Sequence, residues 1–377
     1  MKSALFSMWR LRGRKRRRKE IMKYYPEDEK FSVPFCQCDG CLRELDGCPY
    51  GERKPLPITL YKEKCLERRI PKCPELAGIM GAVIGDAMGV PYEFMRRGTF
   101  RCTGMASGGT HGMPAGTWSD DSALMLATAD GLAHDMDIES IGRLFVMWLH
   151  DGEYTPDGKV FDVGNTTREA IERIANGTSA YESGNGGKMD NGNGSLMRIL
   201  PLAFAFRNSK NRPEAVRMAS SITHSNILSV MCCQIYVEMA TDLLKGMTPE
   251  EAYDDVCARF SGQSSREEHL ARRELGRFLS GGMKTAPEDE IRSSGYVADT
   301  LEASVWCLLH SGSFAEAILK AVNLGSDADT TGCVTGGLAG IWYGFDAIPR
   351  PWLVQVRERE MAESIASRLF LRFGEEG

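Results

Sequence analysis

From Pro74 onward, apolar residues recur every three or four positions, the spacing that lines one face of an α-helix, while the strict alternation of a half-buried strand is hard to find. The pattern predicts helices over Ala77–Val90, Asp120–His134, Ile138–His150, Thr167–Asn176, Leu196–Phe206 and Pro213–Ile222. It continues through Leu228–Lys245, Pro249–Phe260, Glu267–Leu279, Val297–Leu309, Phe314–Asn323 and Thr331–Tyr343. Thr248-Pro-Glu-Glu supplies an N-cap, a proline in the first turn and acidic residues that suit a helix start. Gly177, Gly246 and Gly325 fall where helices should stop. The first predicted helix is dense in small residues, which suits close packing on a neighbour. Residues 74–377 therefore read as one all-α domain of about a dozen helices, with no internal repeat.

Residues 1–73 lack this periodicity and read as an appendage: a basic run, a polar stretch, a cysteine cluster and Lys54-Pro-Leu-Pro. Across all 377 residues, 42% apolar and 26% charged is the composition of an ordinary globular protein. No run of 18 or more apolar residues occurs, so no membrane-spanning helix is expected. The first ten residues are too short and too soon basic for a secretory signal, which makes the cytoplasm the expected location. The net charge of −5 divides into +8 on the first 20 residues and −13 on the other 357. An acidic body is a poor binder of phosphate backbones, so contact with nucleic acid is expected only through the basic tail. The chain is expected to be a monomer.

Six of the twelve cysteines lie between Cys36 and Cys73. Cys36, Cys38, Cys41 and Cys48 have the short spacing of a structural zinc site, although the paired CxxC knuckle is absent. Unligated thiols or, less readily without an export signal, disulfides are the other readings of that cluster. The remaining six cysteines sit mostly among apolar residues, where a thiol packs as a small hydrophobe.

Three segments carry candidate chemistry. Ser119-Asp120-Asp121-Ser122 opens one helix, and Asp327-Ala-Asp329-Thr330-Thr331 precedes another. Each alone is explained by capping, since hydroxyls and acids suit a helix N-terminus. Together they offer hydroxyl oxygens and four carboxylates without Cys or His, a set for hard cations, two Mg²⁺ or Mn²⁺. The Asp327 segment lacks the further ligands of an EF-hand loop. Asp190-Asn-Gly-Asn193-Gly194-Ser195-Leu-Met197-Arg198 is the third: free amides after glycines at a helix start form a natural anion site. It matches neither the phosphate-binding loop of nucleoside triphosphatases nor the GxGxxG pattern.

Six pieces in order resemble the ADP-ribosylglycohydrolase family. They are Gly81-Ala-Val-Ile-Gly-Asp86-Ala-Met-Gly89-Val-Pro-Tyr-Glu93-Phe, Trp118-Ser-Asp-Asp-Ser122 and Phe161-Asp162-Val-Gly-Asn165-Thr-Thr, followed by Asn191-Gly-Asn-Gly-Ser-Leu-Met-Arg198, Thr223-His224-Ser225 and Gly325-Ser-Asp-Ala-Asp-Thr-Thr-Gly332. They span residues 77–345. The resemblance implies an all-α fold and two magnesium ions held by Ser119, Asp120, Asp121, Asp327, Asp329 and Thr330; Ser119 stands where the family often has Thr. It implies that Asn193, Gly194, Ser195 and Met197 belong to the loop holding the diphosphate of ADP-ribose. Glu93 would sit at the scissile bond, Asp162 and Asn165 near the distal ribose, and His224 near the ligand. Glu93 and Asp162 are thus the candidate catalytic acids. The expected activity is metal-dependent hydrolysis of the glycosidic bond between ADP-ribose and an acceptor. That acceptor is a protein side chain, arginine first, or a small-molecule conjugate. The alternative is a protein of this fold that binds ADP-ribose without turning it over.

Overall fold

The computed structural model describes residues 73–262 and 266–374. Cys36, Cys38, Cys41 and Cys48, the proposed zinc set, lie outside the described residues, as does the basic tail. Fifteen α-helices and a few short 3₁₀ turns make up the described chain, which holds three isolated β-bridges and no strand. We number the helices α1 (Pro74–Gly89), α2 (Asp120–Ala133), α3 (Ile138–Asp151), α4 (Asn165–Ala175), α5 (Pro201–Ala205), α6 (Arg212–Ser221), α7 (Ile227–Leu244) and α8 (Pro249–Phe260). Then come α9 (Arg266–Glu274), α10 (Gly276–Leu279), α11 (Val297–Leu309), α12 (Phe314–Asn323), α13 (Ala328–Tyr343), α14 (Arg350–Gln355) and α15 (Arg359–Phe373).

The signals read as starts and stops act as such. Thr248 and Glu251 form a reciprocal capping box on α8. Gly177, Gly246 and Gly325 all adopt positive φ, where a side chain would strain the backbone. Cys73 caps α1, its Sγ accepting from the Leu76 amide at 3.4 Å. All seven cysteines in the described region are buried free thiols.

Three expectations change. Of the helix predicted over Leu196–Phe206 only Pro201–Ala205 is α-helical, because the Pro201 nitrogen has no hydrogen to continue a helix from the preceding turn. The segment Glu267–Leu279 breaks at Leu275, just before Gly276, into α9 and α10. The C-terminal α15 follows the last predicted helix and was hidden by its dense charges; its Ala362, Ile365, Ala366 and Leu369 are nonetheless fully buried at helical spacing. By length and composition alone α7, at 18 residues, is apolar enough to cross a bilayer. It is instead a central core helix, 83% buried, whose Glu238 pairs with Arg212 and Arg259.

The feature that positions everything else is the antiparallel seam between α1 and α13. Gly81 faces Gly336, Gly85 faces Gly332, and Gly89 faces Asp329. A Cβ placed on Gly85 would stand 1.9 Å from the Gly332 carbonyl oxygen, and one on Gly81 2.2 Å from that of Gly336. Helices whose side chains interdigitate keep axes 8–10 Å apart. Here the backbones touch, and the C-terminal end of α1 is pressed against the N-terminal end of α13. That brings Asp86 and Glu93 beside Asp327 and Asp329. Against α1 lies α15, which also packs on α2; its Arg368 pairs with the buried Asp130 of α2.

Candidate functional site

Asp86, near the end of α1, is buried and accepts hydrogen bonds from the Ser119 amide at 3.0 Å, the Ser122 amide at 2.9 Å and the Ser122 hydroxyl at 2.5 Å. It thereby fixes the turn into α2. Burial pushes its carboxyl up to about 6 while these donors pull against it. Ser119, the N-cap, donates from Oγ to Asp121 Oδ2 at 3.0 Å. Asp120 and Asp121 are both buried.

Across the site, Asp327 is the N-cap residue of α13. Its Oδ2 accepts from Asn193 Nδ2 at 2.8 Å, and its Oδ1 is buried without a partner. Asp329 accepts from the Thr330 amide at 2.9 Å through Oδ1, whereas its Oδ2 is an orphan. Asp121 Oδ1 is a third buried oxygen with no partner. Thr330 is buried beside them.

These acids converge. Ligand atoms of Glu93, Asp327 and Asp329 lie within 4.8 Å of one another, as do those of Asp120, Asp121 and Asp162, and those of Glu93, His111 and Asp162. Glu93 and Asp162 are each shared by two of these triads, so the clusters form one continuous acidic surface. Burial, and then repulsion from neighbouring carboxylates, raises Asp120, Asp121 and Asp329 well above the usual carboxylate range. Glu93 is pushed up to about 8 by burial and by Asp327, and Asp162 to about 8 by burial and by Glu93.

His111 is a site residue that the sequence reading missed. Its Nε2 pairs with Glu93 Oε2 and lies 3.9 Å from Asp162 Oδ1. A lone histidine in a glycine-rich loop offers no periodic signal; only the loop's path across Pro91, where Thr110 donates to the Pro91 carbonyl, brings it here. The His111 ring lies between Phe161 and Phe94, with centroid separations of 5.1 and 6.1 Å. Phe94 is 68% exposed at a φ of 61°, and its amide is tied to the Ser326 carbonyl. A non-glycine residue in the left-handed region is uncommon, and such strained positions cluster at functional sites.

The glycine loop closes the other side. The Asn193 amide donates to the Gly295 carbonyl, and its side chain donates to Thr300 Oγ1 and Asp327. Gly194 passes directly over His224 and Thr167, since a Cβ there would lie 2.9 and 2.8 Å from them. Ser195 and Met197 are buried: Ser195 Oγ pairs with Cys233 Sγ, and the Met197 carbonyl accepts from Cys333. The Ser195 hydroxyl is thus engaged within the core. Asn165 is exposed at the first position of α4, beside Thr166, which reaches Asp190 of the loop.

The model of the family described as ADP-ribosylglycohydrolase matches residues 76–377. An ADP-ribosylarginine hydrolase Tri1 of Serratia proteamaculans is 34% identical over 86% of this chain and 87% of its own length. An ADP-ribosyl-(dinitrogen reductase) glycohydrolase of Rhodospirillum rubrum is 30% identical over 78% of this chain and 95% of its own. A solved structure titled ADP-ribosylglycohydrolase-related protein complex superposes with a TM-score of 0.69 at 30% identity, covering 80% of this chain and 98% of that one. The chain belongs to the ADP-ribosylglycohydrolase family.

Proposed function

We propose that this member of the ADP-ribosylglycohydrolase family removes ADP-ribose from arginine side chains of modified proteins, with divalent cations, Mg²⁺ or Mn²⁺, seated among its converging carboxylates. The observation that carries the reading is the set of three buried, partnerless oxygens, Asp121 Oδ1, Asp327 Oδ1 and Asp329 Oδ2, on two segments some two hundred residues apart in sequence. Buried carboxylate oxygens are ordinarily hydrogen-bonded, and uncompensated ones destabilise the fold. Cations would satisfy all three. Ser119, Asp120, Asp121, Asp327, Asp329 and Thr330 are the residues that would hold them, an oxygen-only set that suits Mg²⁺ or Mn²⁺. Bound there, the ions would cancel the repulsion among the acids and supply Lewis acidity toward sugar hydroxyls. Arginine as the acceptor is supported by the relatives named ADP-ribosylarginine hydrolase in Serratia proteamaculans and Pseudomonas putida.

The chain's own groups then divide the work. Breaking a bond at an anomeric carbon develops oxocarbenium character and needs a group that moves a proton. Glu93 Oε is suited to it: buried, held by His111, and raised to a range where it can give or take a proton near neutrality. Asp162 stands next to it as the second carboxyl group. Asn193 orients Asp327, and the amides of the 193–198 loop would bind the diphosphate. Burial of the acids excludes bulk water from the bond being cut.

The test is release of ADP-ribose from a mono-ADP-ribosylated arginine peptide, followed chromatographically. Release with Mg²⁺ that EDTA abolishes supports the reading. No release with Mg²⁺ present, together with tight calorimetric binding of ADP-ribose, would assign the protein to ligand binding without turnover.

A further inference from the structure

Beneath the glycine loop lies a buried cation that no carboxylate of the described residues answers. Arg198 is fully buried and enters no ion pair among the described residues. Its guanidinium stacks 4.7 Å from the centroid of Phe145, and among the described residues its Nε and Nη1 have no hydrogen-bond partner. Nη2 donates to the Ala219 carbonyl at 3.1 Å, to Thr223 Oγ1 at 2.8 Å and, at 3.5 Å, to the Ser220 carbonyl. The Thr223 hydroxyl in turn lies 2.9 Å from His224 Nδ1.

A threonine hydroxyl has one hydrogen and two lone pairs. One lone pair of Thr223 takes the Arg198 hydrogen, and among the described residues the one acceptor that its own hydrogen meets is His224 Nδ1. If Nδ1 instead carried the proton, the Thr223 hydroxyl would be buried with nowhere to donate, an arrangement native structures avoid. The chain of bonds therefore runs one way, Arg198 to Thr223 to His224 Nδ1, and the imidazole proton is left on Nε2. That nitrogen has no protein partner among the described residues. It faces the loop, 3.4 Å from where a Cβ of Gly192 would stand and 3.5 Å from one on Gly194. Burial and the adjacent Arg198 charge lower His224 to about 3, so the ring stays neutral.

We infer that Arg198 and Thr223 are positioning residues that lock His224 in the Nε2–H tautomer, so that it presents one fixed donor, backed by an uncompensated positive charge, to an anionic oxygen of the ligand under the Gly192–Gly194 loop. The ligand half of this inference rests on the proposed binding of an ADP-ribose conjugate; the tautomer half does not. Because a donor aimed at an anion contributes to binding before and during reaction alike, its loss should appear in KM and not in kcat.

The decisive variant is Thr223→Val, which keeps the side-chain shape and removes the hydroxyl, with Thr223→Ser as the conservative rescue. Nitrogen-15 NMR of the imidazole in the free protein should give the Nε2–H tautomer in the wild type and in Thr223→Ser, and a mixture or the Nδ1–H tautomer in Thr223→Val. KM for the ADP-ribosylated peptide, and the Kd of ADP-ribose itself, should rise about ten-fold or more in Thr223→Val with kcat little changed, the usual worth of one hydrogen bond to a charged acceptor. Thr223→Ser should recover both. An unchanged tautomer in a folded Thr223→Val protein overturns the relay. A changed tautomer with unchanged KM and Kd overturns its role toward the ligand. A wild-type protein that does not bind ADP-ribose defeats the ligand half together with the proposed function, while the tautomer measurement still decides the relay.

Discussion

Asp86, in the last turn of α1, and Glu93, four residues beyond its end, sit seven positions apart, yet their surroundings give them different work. Asp86 accepts from two amides and a hydroxyl, so its carboxylate serves to hold the Ser119–Ser122 turn and leaves Asp120 and Asp121 to face the site. Glu93 has a histidine on one side and acids on the other. Both Glu93 and Asp162 are raised to about 8, far above their values in an unfolded chain. Without cations the folded protein then binds more protons than the unfolded one between about pH 4 and pH 8, so these two groups make stability fall as pH rises through that window. Asp120, Asp121 and Asp329, which would hold the cations, are raised as well, so a cation must displace protons from them, which makes its binding stronger at higher pH. The increase in Tm on adding Mg²⁺ should therefore grow from pH 6 to pH 8.5, and calorimetry in buffers of different ionisation enthalpy should detect proton release. A Tm increment independent of pH would contradict this account of the acids. The carboxylates themselves were readable in the sequence, because hydroxyl-Asp-Asp and Asp-x-Asp-Thr runs at helix starts are local patterns. Asp86 appeared there only as part of a resemblance and His111 not at all, since both act through contacts that the fold makes between distant segments.

The seam of α1 and α13 converts those local patterns into a site. Glycine inside a helix destabilises it by about 0.5–1 kcal/mol relative to alanine. The α1 sequence nevertheless carries Gly78, Gly81 and Gly85 along one stripe, facing Gly332, Gly336 and Gly340 of α13. What the glycines supply is backbone contact, and with it the approach of Glu93 to Asp327 and Asp329. Gly85→Ala should consequently do harm where alanine normally helps a helix. Its methyl group meets the Gly332 carbonyl, so the helices must part, at a cost of about 1–3 kcal/mol for overpacking. Loss of Mg²⁺ binding should accompany it, measured by thermal shift with and without the ion. A Gly85→Ala protein as stable as the wild type, with unchanged Mg²⁺ response, would refute the seam's role. Small residues at helical spacing made the close packing of the first helix readable in advance; its partner was not, because glycine carries no signal for which helix it meets. The same limit explains α15: charged positions broke up its apolar stripe, and only its fit against α1 and α2 buries Ile365 and Leu369.

The described residues form a helical scaffold in which two acidic turns at helix starts, remote in sequence, are held face to face at the end of a glycine seam. The all-α architecture, the two turns and the amide loop were legible from periodicity and helix-start chemistry, because each is written within a dozen residues or so. Their meeting was inferred from the resemblance and is a property of the tertiary fold alone. The central claim is that this meeting point holds divalent cations. Crystals grown or soaked with Mn²⁺, measured with anomalous scattering, test it most directly. The account predicts anomalous peaks among Asp120, Asp121, Asp327 and Asp329, within bonding distance of the three oxygens that lack a partner. Fully occupied Mn²⁺ elsewhere on the protein with no peak at that position would contradict it.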